Sequence, residues 1–224
     1  MKTVKSTLAR IAALVGMGTL VGVGCLAEAP EESKDVGSDE ASTETETLTM
    51  EVTQGVAHAA KLSSSLLRVD LYDLQGALQF SVDFRLGGAD EETIQWTSFG
   101  APGTEPVSKS LKQPIDELPE LKMAIAGAEF MQTKVSNAMA NGEAYDSYGC
   151  DIPTWAVNSC GSKGKCCDVH DACYAQHGCT SSSWYWTTPG GACDKCNGNV
   201  VHCITFTNPG PSSCCAAGNC GQPR

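Results

Sequence analysis

Alternating apolar and polar residues mark two strands in the first half of the chain. The alternation runs through residues 67–72 and again through residues 78–84, and a period of two is typical of a half-buried β-strand. Between them, Asp73-Leu74-Gln75-Gly76 supplies turn residues, so the two runs predict a β-hairpin. Residues 92–96 predict a third strand. We interpret residues 51–110 together as a small β-rich region.

A different periodicity follows. From Ile115 to Met139, apolar residues recur every three or four positions, which predicts a helix with one buried face. The pair Asn141-Gly142 provides a stop signal. The stretch from Pro102 to Pro114 is interpreted as a linker. The helix is expected to pack on the cysteine-rich part that follows, so that residues 114–224 form the second domain.

The first 25 residues have the layout of a signal peptide. Three basic residues precede an apolar run from Ile11 to Gly24, which is shorter than the roughly 20 residues that span a bilayer. The run ends at Cys25 after small residues, as in bacterial lipoproteins, so Cys25 is the expected lipidation site. Cleavage after Ala29 is the alternative. We expect an exported chain, either a membrane-anchored lipoprotein of the periplasm or cell surface, or a secreted protein.

The charge of the chain is concentrated in the segment after Cys25. Residues 26–50 are acidic and nearly free of large apolar side chains, which predicts a disordered linker. The whole chain has a net charge of −11, whereas residues 52–224 carry 17 acidic and 11 basic side chains, a net charge of −6. Because no basic patch is present, nucleic acid is not an expected partner.

The cysteines indicate how the second domain is held together. Twelve of the 13 lie between Cys150 and Cys220. An even number in an exported chain predicts disulfides rather than a zinc site, because zinc binds thiolates. Cys166 and Cys173 are seven residues apart, as are Cys196 and Cys203. Two antiparallel helices bridged Cys166–Cys203 and Cys173–Cys196 would use the same rise on both sides.

His170 lies between the first pair of cysteines, on the same face of that helix. The sequence offers it no protein nucleophile, because no Gly-x-Ser-x-Gly motif occurs and an oxidised cysteine cannot attack a substrate. We therefore predict that His170 activates water as a general base. Asp171, about 100° further round the helix, is predicted to bind calcium together with loop carbonyls.

The run Cys166-Cys167-x-x-His170-Asp171-x-Cys173-Tyr174 resembles the active-site helix of secreted phospholipases A2, and Cys196-x₆-Cys203 resembles its partner helix. The resemblance covers roughly residues 145–205. It implies calcium-dependent hydrolysis of the sn-2 ester of glycerophospholipids at a membrane surface. It also implies that Tyr174 belongs to the hydrogen-bond network behind His170, and that the backbone carbonyls of Cys150, Ile152 and Thr154 complete the calcium site with Asp171.

The chain departs from the family pattern at two places. The family has Asp directly after the first cysteine of the partner helix, where this chain has Asn197. Its amide oxygen can accept a hydrogen bond from His170 but brings no charge, so slower catalysis is expected. Asp194 is not expected to substitute for it. The loop of residues 148–155 also lacks the usual glycines, and Asp151 offers it an additional carboxylate ligand.

The remaining cysteines and aromatic residues carry further expectations. Cys179 and Cys193 are expected to pair across the segment in which the family has a small β-hairpin. There, Trp184-Tyr185-Trp186 either contacts a lipid surface or packs within the hairpin. Cys167 is expected in another disulfide. The sequence leaves the pairing of six cysteines open: Cys150, Cys160, Cys167, Cys214, Cys215 and Cys220.

Together these patterns predict an α+β chain, in which a disulfide-rich helical domain like that of phospholipase A2 follows a small β-rich region. The predicted function is hydrolysis of phospholipids by a calcium-dependent, monomeric enzyme. The alternative is a catalytically inactive module of the same kind that binds lipid or protein.

Overall fold

The computed structural model describes residues 45–52, 54–100, 103–140, 150 and 157–220. The predicted signal peptide, Cys25 and the linker up to residue 44 lie outside these ranges. The chain is α+β. Its strands are β1 (Thr47–Val52), β2 (Gly55–Ser63), β3 (Leu66–Asp73), β4 (Leu78–Arg85), β5 (Glu92–Ser98) and β6 (Val107–Lys112). Its helices are α1 (Leu121–Ala140), α2 (Gly164–His177), α3 (Ser183–Trp186), α4 (Ala192–Phe206) and α5 (Ser213–Ala217).

The six strands form one antiparallel sheet in chain order. The β3–β4 hairpin predicted from the alternating pattern is present, and its register pairs the inward residues Leu67 with Phe84 and Val69 with Val82. At the turn, the Asp73 carboxylate accepts hydrogen bonds from two backbone N–H groups, and Gly76 takes a positive φ of 80°. The sequence therefore determines both the strands and the turn.

The other face of the hairpin is polar and is held by ion pairs. Arg68 and Asp83 are direct cross-strand partners, and the Arg68 guanidinium donates to both carboxylate oxygens at 2.7 and 2.9 Å. Arg85 donates to the same carboxylate at 3.0 Å. A bidentate pair of this kind fixes the register as well as the charge.

Helix α1 lies between the sheet and the helical part. It contacts β1 to β4 with one face, and α3 and α4 with another. Buried residues of the sheet, α1, α2 and α4 belong to one hydrophobic cluster, which includes Val69, Phe130, Cys166 and Val201. The β-rich region and the helices thus share a core.

Two glycines allow the close approach of these elements. A methyl group on Gly127 of α1 would overlap the hydroxyl of Thr205 on α4. On the other side of α4, a Cβ at Gly198 would lie 3.1 Å from the Gln113 side-chain oxygen, just after β6. These contacts set the position of α4 relative to α1 and to the end of β6.

The structure differs from the sequence predictions at several boundaries. Strand β1 begins at Thr47, inside the segment 26–50 assigned to the linker. Strand β6 lies inside the stretch from Pro102 to Pro114, which was predicted to be a linker. Helix α1 begins at Leu121 rather than near Ile115, because the backbone of Ile115 is hydrogen-bonded to Gly87 in a β-bridge. No helix in the described ranges is both long enough and apolar enough to span a membrane.

We expect Gly127→Ala to lower the free energy of unfolding by about 1–3 kcal/mol, because the added methyl overlaps Thr205. The same change in an unobstructed helix is normally favourable by about 1 kcal/mol. Urea unfolding followed by circular dichroism measures the effect. Adding Thr205→Ala should remove most of it, relative to Thr205→Ala alone. An equal loss in both backgrounds would show that the contact is not responsible.

Candidate functional site

Two disulfides fix helix α2 against helix α4. Cys166 is bonded to Cys203 and Cys173 to Cys196, with Cα–Cα separations of 5.6 and 5.7 Å. Both pairs are those that the seven-residue spacing predicts, and their reversed order makes the two helices antiparallel. Residues between the bridges on one helix therefore face residues between the bridges on the other.

The remaining disulfides attach loops to this helix pair. Cys179 is bonded to Cys193, as expected, and closes the segment that contains α3. Cys167 is bonded to Cys150, which ties the loop before α2 to a point three residues from His170. The last two bonds are Cys160–Cys215 and Cys214–Cys220. Six disulfides are typical of a protein from an oxidising, extracytoplasmic compartment.

His170 and Asn197 meet in the space between α2 and α4. The Nε2 atom of His170 lies 3.2 Å from Oδ1 of Asn197, and the Tyr174 hydroxyl donates to the same oxygen at 2.6 Å. The Asn197 amide nitrogen donates to the backbone carbonyl of Ser183 at 3.2 Å. The sequence analysis named His170, Tyr174 and Asn197, and the structure brings all three together.

This network determines the protonation of His170. Because the Asn197 nitrogen donates a hydrogen bond to the Ser183 carbonyl, its oxygen faces the imidazole and accepts a hydrogen bond from Nε2–H. The neutral ring then has its lone pair on Nδ1. Oδ1 of Asp171 lies 3.9 Å from Nδ1, which is beyond hydrogen-bonding distance. Nδ1 is therefore a proton acceptor that the Asp171 carboxylate does not engage.

Aromatic rings enclose the imidazole. The Tyr174 ring centroid lies 4.0 Å from that of His170, and the Trp184 centroid lies 5.7 Å away. Trp184 in turn contacts Phe130 of α1 edge to face, at 5.8 Å. His170 is only 3% exposed, so α1 and α3 shield it from solvent.

Burial controls the ionisation of this site. It lowers the pKa of His170 to about 3, with a further decrease from the Lys134 charge and a partial compensation from the Asn197 hydrogen bond. Burial also raises the pKa of the Tyr174 hydroxyl above its usual value. At neutral pH both groups are uncharged, so Tyr174 keeps the proton that it donates and His170 keeps its free lone pair.

Asp171 supplies the carboxylate next to the histidine. It is 9% exposed and directed close to Nδ1 of His170. Of the predicted carbonyl ligands, Cys150 is described and is attached to α2 through Cys167, whereas Ile152 and Thr154, like Asp151, lie outside the described residues. Carboxylate and carbonyl oxygens are ligands that calcium prefers, so the chemistry of this donor set fits the ion.

One group of cysteines mimics a metal site. The sulfur atoms of Cys160, Cys215 and Cys220 lie within 4.8 Å of one another. All three are oxidised in disulfides, and a disulfide sulfur is not the thiolate that zinc requires. This cluster therefore has a structural role in joining the C-terminal turn to the loop before α2.

Asp194 does not act as a carboxylate partner of His170. It is buried at the start of α4 and accepts a hydrogen bond from the backbone N–H of Gly190 at 2.8 Å. Nearby, Lys109 of β6 donates to the carbonyl of Thr187 at 2.9 Å. These bonds hold the α3–α4 loop against the sheet rather than orienting His170.

The expected β-hairpin around Trp184-Tyr185-Trp186 is wrong, because this segment forms the helical turn α3. The turn separates the two tryptophans: Trp184 is 3% exposed and packs on His170, whereas Trp186 is 77% exposed. The sequence analysis also missed Ser183 and Phe130. Ser183 contributes a backbone carbonyl, which a sequence motif of side chains cannot indicate. Phe130 is one of several apolar residues on α1, and nothing in the sequence distinguishes it from the others.

The arrangement can accept a proton at Nδ1 of a neutral, oriented imidazole that lies beside a carboxylate and in contact with two aromatic rings. No protein family, no curated protein and no solved structure matches this chain.

We expect Asn197→Asp to destabilise the protein. The carboxylate would place an oxygen where the amide nitrogen now donates to the Ser183 carbonyl, which leaves two buried acceptors in contact. The expected cost is about 1–3 kcal/mol in the free energy of unfolding, measured in neutral buffer by urea titration. Asn199→Asp, the same substitution at an exposed position of α4, is the control for the added charge. Unchanged stability of Asn197→Asp would show that the Ser183 bond does not select the amide.

Proposed function

We propose that this protein hydrolyses a carboxylic ester with a water molecule activated by His170, and that its substrates are glycerophospholipids cleaved at the sn-2 ester. The observation that carries the proposal is the orientation of His170, with Nε2 hydrogen-bonded to Asn197 and Nδ1 beside Asp171. The lipid substrate is what the resemblance of residues 166–174 to secreted phospholipases A2 implies.

The cysteines support water as the nucleophile. All twelve cysteines between Cys150 and Cys220 are in disulfides, so none can attack an ester as a thiolate. No serine or threonine hydroxyl is hydrogen-bonded to His170 among the described residues. A base without a protein nucleophile can act on water.

The proton transfers follow from the tautomer. Nδ1 of His170 removes a proton from water as its oxygen attacks the ester carbonyl, while Nε2–H stays hydrogen-bonded to Asn197. The resulting imidazolium is stabilised by that acceptor. It then returns the proton from Nδ1 to the departing alcohol oxygen, which releases a fatty acid and a lysophospholipid and restores the neutral base. General-base assistance of this kind contributes about 10²–10⁴-fold.

Calcium is the proposed cofactor. Asp171 would hold it with the carbonyls of Cys150, Ile152 and Thr154. When bound, the ion supplies a Lewis acid for the ester carbonyl and its oxyanion. The chain contributes by burying the Asp171 carboxylate beside His170 and by tying residue 150 to α2 through a disulfide.

Asn197 supports slower rather than abolished catalysis. In the Ser-His-Asp triad of serine proteases, replacing the orienting Asp by Asn lowers kcat by about 10⁴-fold, because the histidine then adopts the wrong tautomer. Here Ser183 holds the amide so that its oxygen faces His170, and the required tautomer is retained. What the amide lacks is the negative charge that would stabilise the imidazolium.

A second candidate, a catalytically inactive module that binds lipid or protein, is favoured by one observation. His170 is 3% exposed and its pKa is lowered to about 3, whereas a general base works best with a pKa near the working pH. In either case we propose that the protein acts outside the cytoplasm, as a monomer at a phospholipid surface, anchored through a lipid on Cys25.

Fatty acid release from mixed phospholipid vesicles tests the proposal. We expect release that requires calcium and stops with a chelator. His170→Ala should lower it by about 10²–10⁴-fold, and Asp171→Asn should abolish the calcium-dependent release. His177→Ala, which changes an exposed histidine at the end of the same helix, is the matched control. No release from a sample with all six disulfides intact would favour the inactive binding module.

We also expect Trp186 to contact the lipid. Its ring is 77% exposed and lies edge to face on Tyr185, with centroids 4.4 Å apart, and tryptophan favours membrane interfaces. Trp186→Ala should reduce hydrolysis of vesicles about tenfold, equivalent to about 1.4 kcal/mol, but leave hydrolysis of monomeric short-chain substrate unchanged. Leu74→Ala, at an equally exposed apolar residue of the β3–β4 turn, is the control. Equal losses on both substrates would place Trp186 in the site itself.

A further inference from the structure

A cavity lies on the side of α1 that faces the sheet. It has a volume of about 250 Å³ and lies between α1 and the ends of β1, β3 and β4. Its polar lining comes from carboxylate, amide and hydroxyl groups: Gln54, Asp73, Gln79, Glu129, Gln132 and Ser136. None of these residues belongs to the network around His170.

An adjoining cavity of about 560 Å³ shares Gln79, Gln132 and Ser136 with the first. It adds the side chains of Met139 and Ala140 at the end of α1, so its surface is less polar. Together the two spaces can receive a molecule with a polar head and a short apolar chain. A few polar groups beside an apolar surface are the usual lining of a small-ligand site.

Glu129 is the unusual residue of the first cavity. Its side chain is half-buried, and no hydrogen bond or ion pair reaches its carboxyl group from the described part of the chain. The backbone oxygen of Glu129 accepts a bond from Thr133, but the carboxyl has no comparable partner. Burial without a partner raises the pKa of Glu129 to about 7. Placing a half-buried carboxylate without a hydrogen bond or counter-ion costs free energy unless a bound group compensates its charge.

The neighbouring carboxylate is already satisfied. Asp73 accepts from the backbone N–H groups of Gln75 and Ala77, and from the Gln79 side-chain nitrogen at 2.8 Å. The last bond uses the donor side of the Gln79 amide and leaves its oxygen as an acceptor. None of the described residues that line either cavity is basic. The Glu129 carboxylate therefore lacks a counter-ion among the lining residues, and a cation that donates hydrogen bonds would complement it.

We propose that this cavity binds the primary ammonium group of a small amphipathic amine, with Glu129 as its counter-ion and the attached alkyl chain in the adjoining space. An ammonium group has three donors, which match the Glu129 carboxylate, the Gln79 amide oxygen and the Ser136 hydroxyl. A quaternary ammonium group has no donors and is recognised by several aromatic faces, whereas Tyr72 is the one aromatic residue described here. Calcium takes six to eight oxygen ligands, and Asp73 is committed to its turn.

Titration of the isotope-labelled full chain with hexylammonium, followed by amide chemical shifts in mildly alkaline buffer, tests the proposal. We expect saturable shifts at α1 and the β3–β4 turn. Glu129→Gln, which preserves side-chain volume, should weaken binding at least tenfold. Glu120→Gln removes the same charge from the exposed residue before α1 and should bind like the wild type. A wild-type amide spectrum of Glu129→Gln outside the cavity establishes that this variant is folded.

Related probes separate the ligand classes. Hexanol and hexyltrimethylammonium should bind at least tenfold more weakly than hexylammonium, and calcium should not compete with it. Ethanolamine and vesicles containing phosphatidylethanolamine distinguish a free amine from a lipid head group that carries the same ammonium. Equal binding of hexanol, equal binding by Glu129→Gln, or displacement by calcium would each overturn the proposal. Fatty acid release by Glu129→Gln should equal that of the wild type, so this result is independent of the proposed hydrolysis.

Discussion

The disulfide-bridged pairing of α2 with α4 is the constraint on which the candidate site depends. His170 and Asn197 come from different helices, and their hydrogen bond is buried, so any drift of one helix would break that bond and leave the imidazole N–H without its acceptor. Bridges seven residues apart on both helices prevent such drift at two points, one on either side of His170. Loop-rich exported domains commonly use disulfides for rigidity that a small core cannot supply. Here the same bonds also position a polar network.

The sheet extends this constraint to the rest of the molecule. Helix α1 fills the space between the sheet and α4, and its Phe130 supports Trp184, which packs on His170. Close contacts at Gly127 and Gly198 set the distances of α4 from α1 and from β6. The β-rich half therefore packs against the helices that carry the site and shares one core with them. The face of the sheet that points away from α1 is polar and carries the Arg68–Asp83 ion pair, whose arginine is exposed to solvent.

The sequence could predict those parts whose pattern is local. Strands β3 and β4 alternate regularly, and the cysteine spacing specifies two helices and their two bridges. Strand β2 was missed because its inward residues include Ala57 and Ala59, which indicate a strand weakly. Strand β6 contains two lysines and two serines, and it is a strand because β5 pairs with it. In the site, side chains with distinctive chemistry were identified, whereas the Ser183 carbonyl and the helical turn α3 depend on tertiary contacts that no motif encodes.

Asn197 shows how the role of a buried amide is to be judged from its surroundings. Considered alone, an amide in place of a carboxylate is a loss of charge. In this structure the residue has two tasks, since its oxygen accepts hydrogen bonds from His170 and Tyr174 while its nitrogen donates one to the Ser183 carbonyl. A carboxylate has no proton for the second task at neutral pH. Because the Ser183 carbonyl belongs to α3, whose next residue is Trp184, the amide links the orientation of His170 to the position of the aromatic ring that shields it. The same bond that sets the tautomer therefore also holds the ring that packs on His170, which gives the amide a function that a carboxylate lacks.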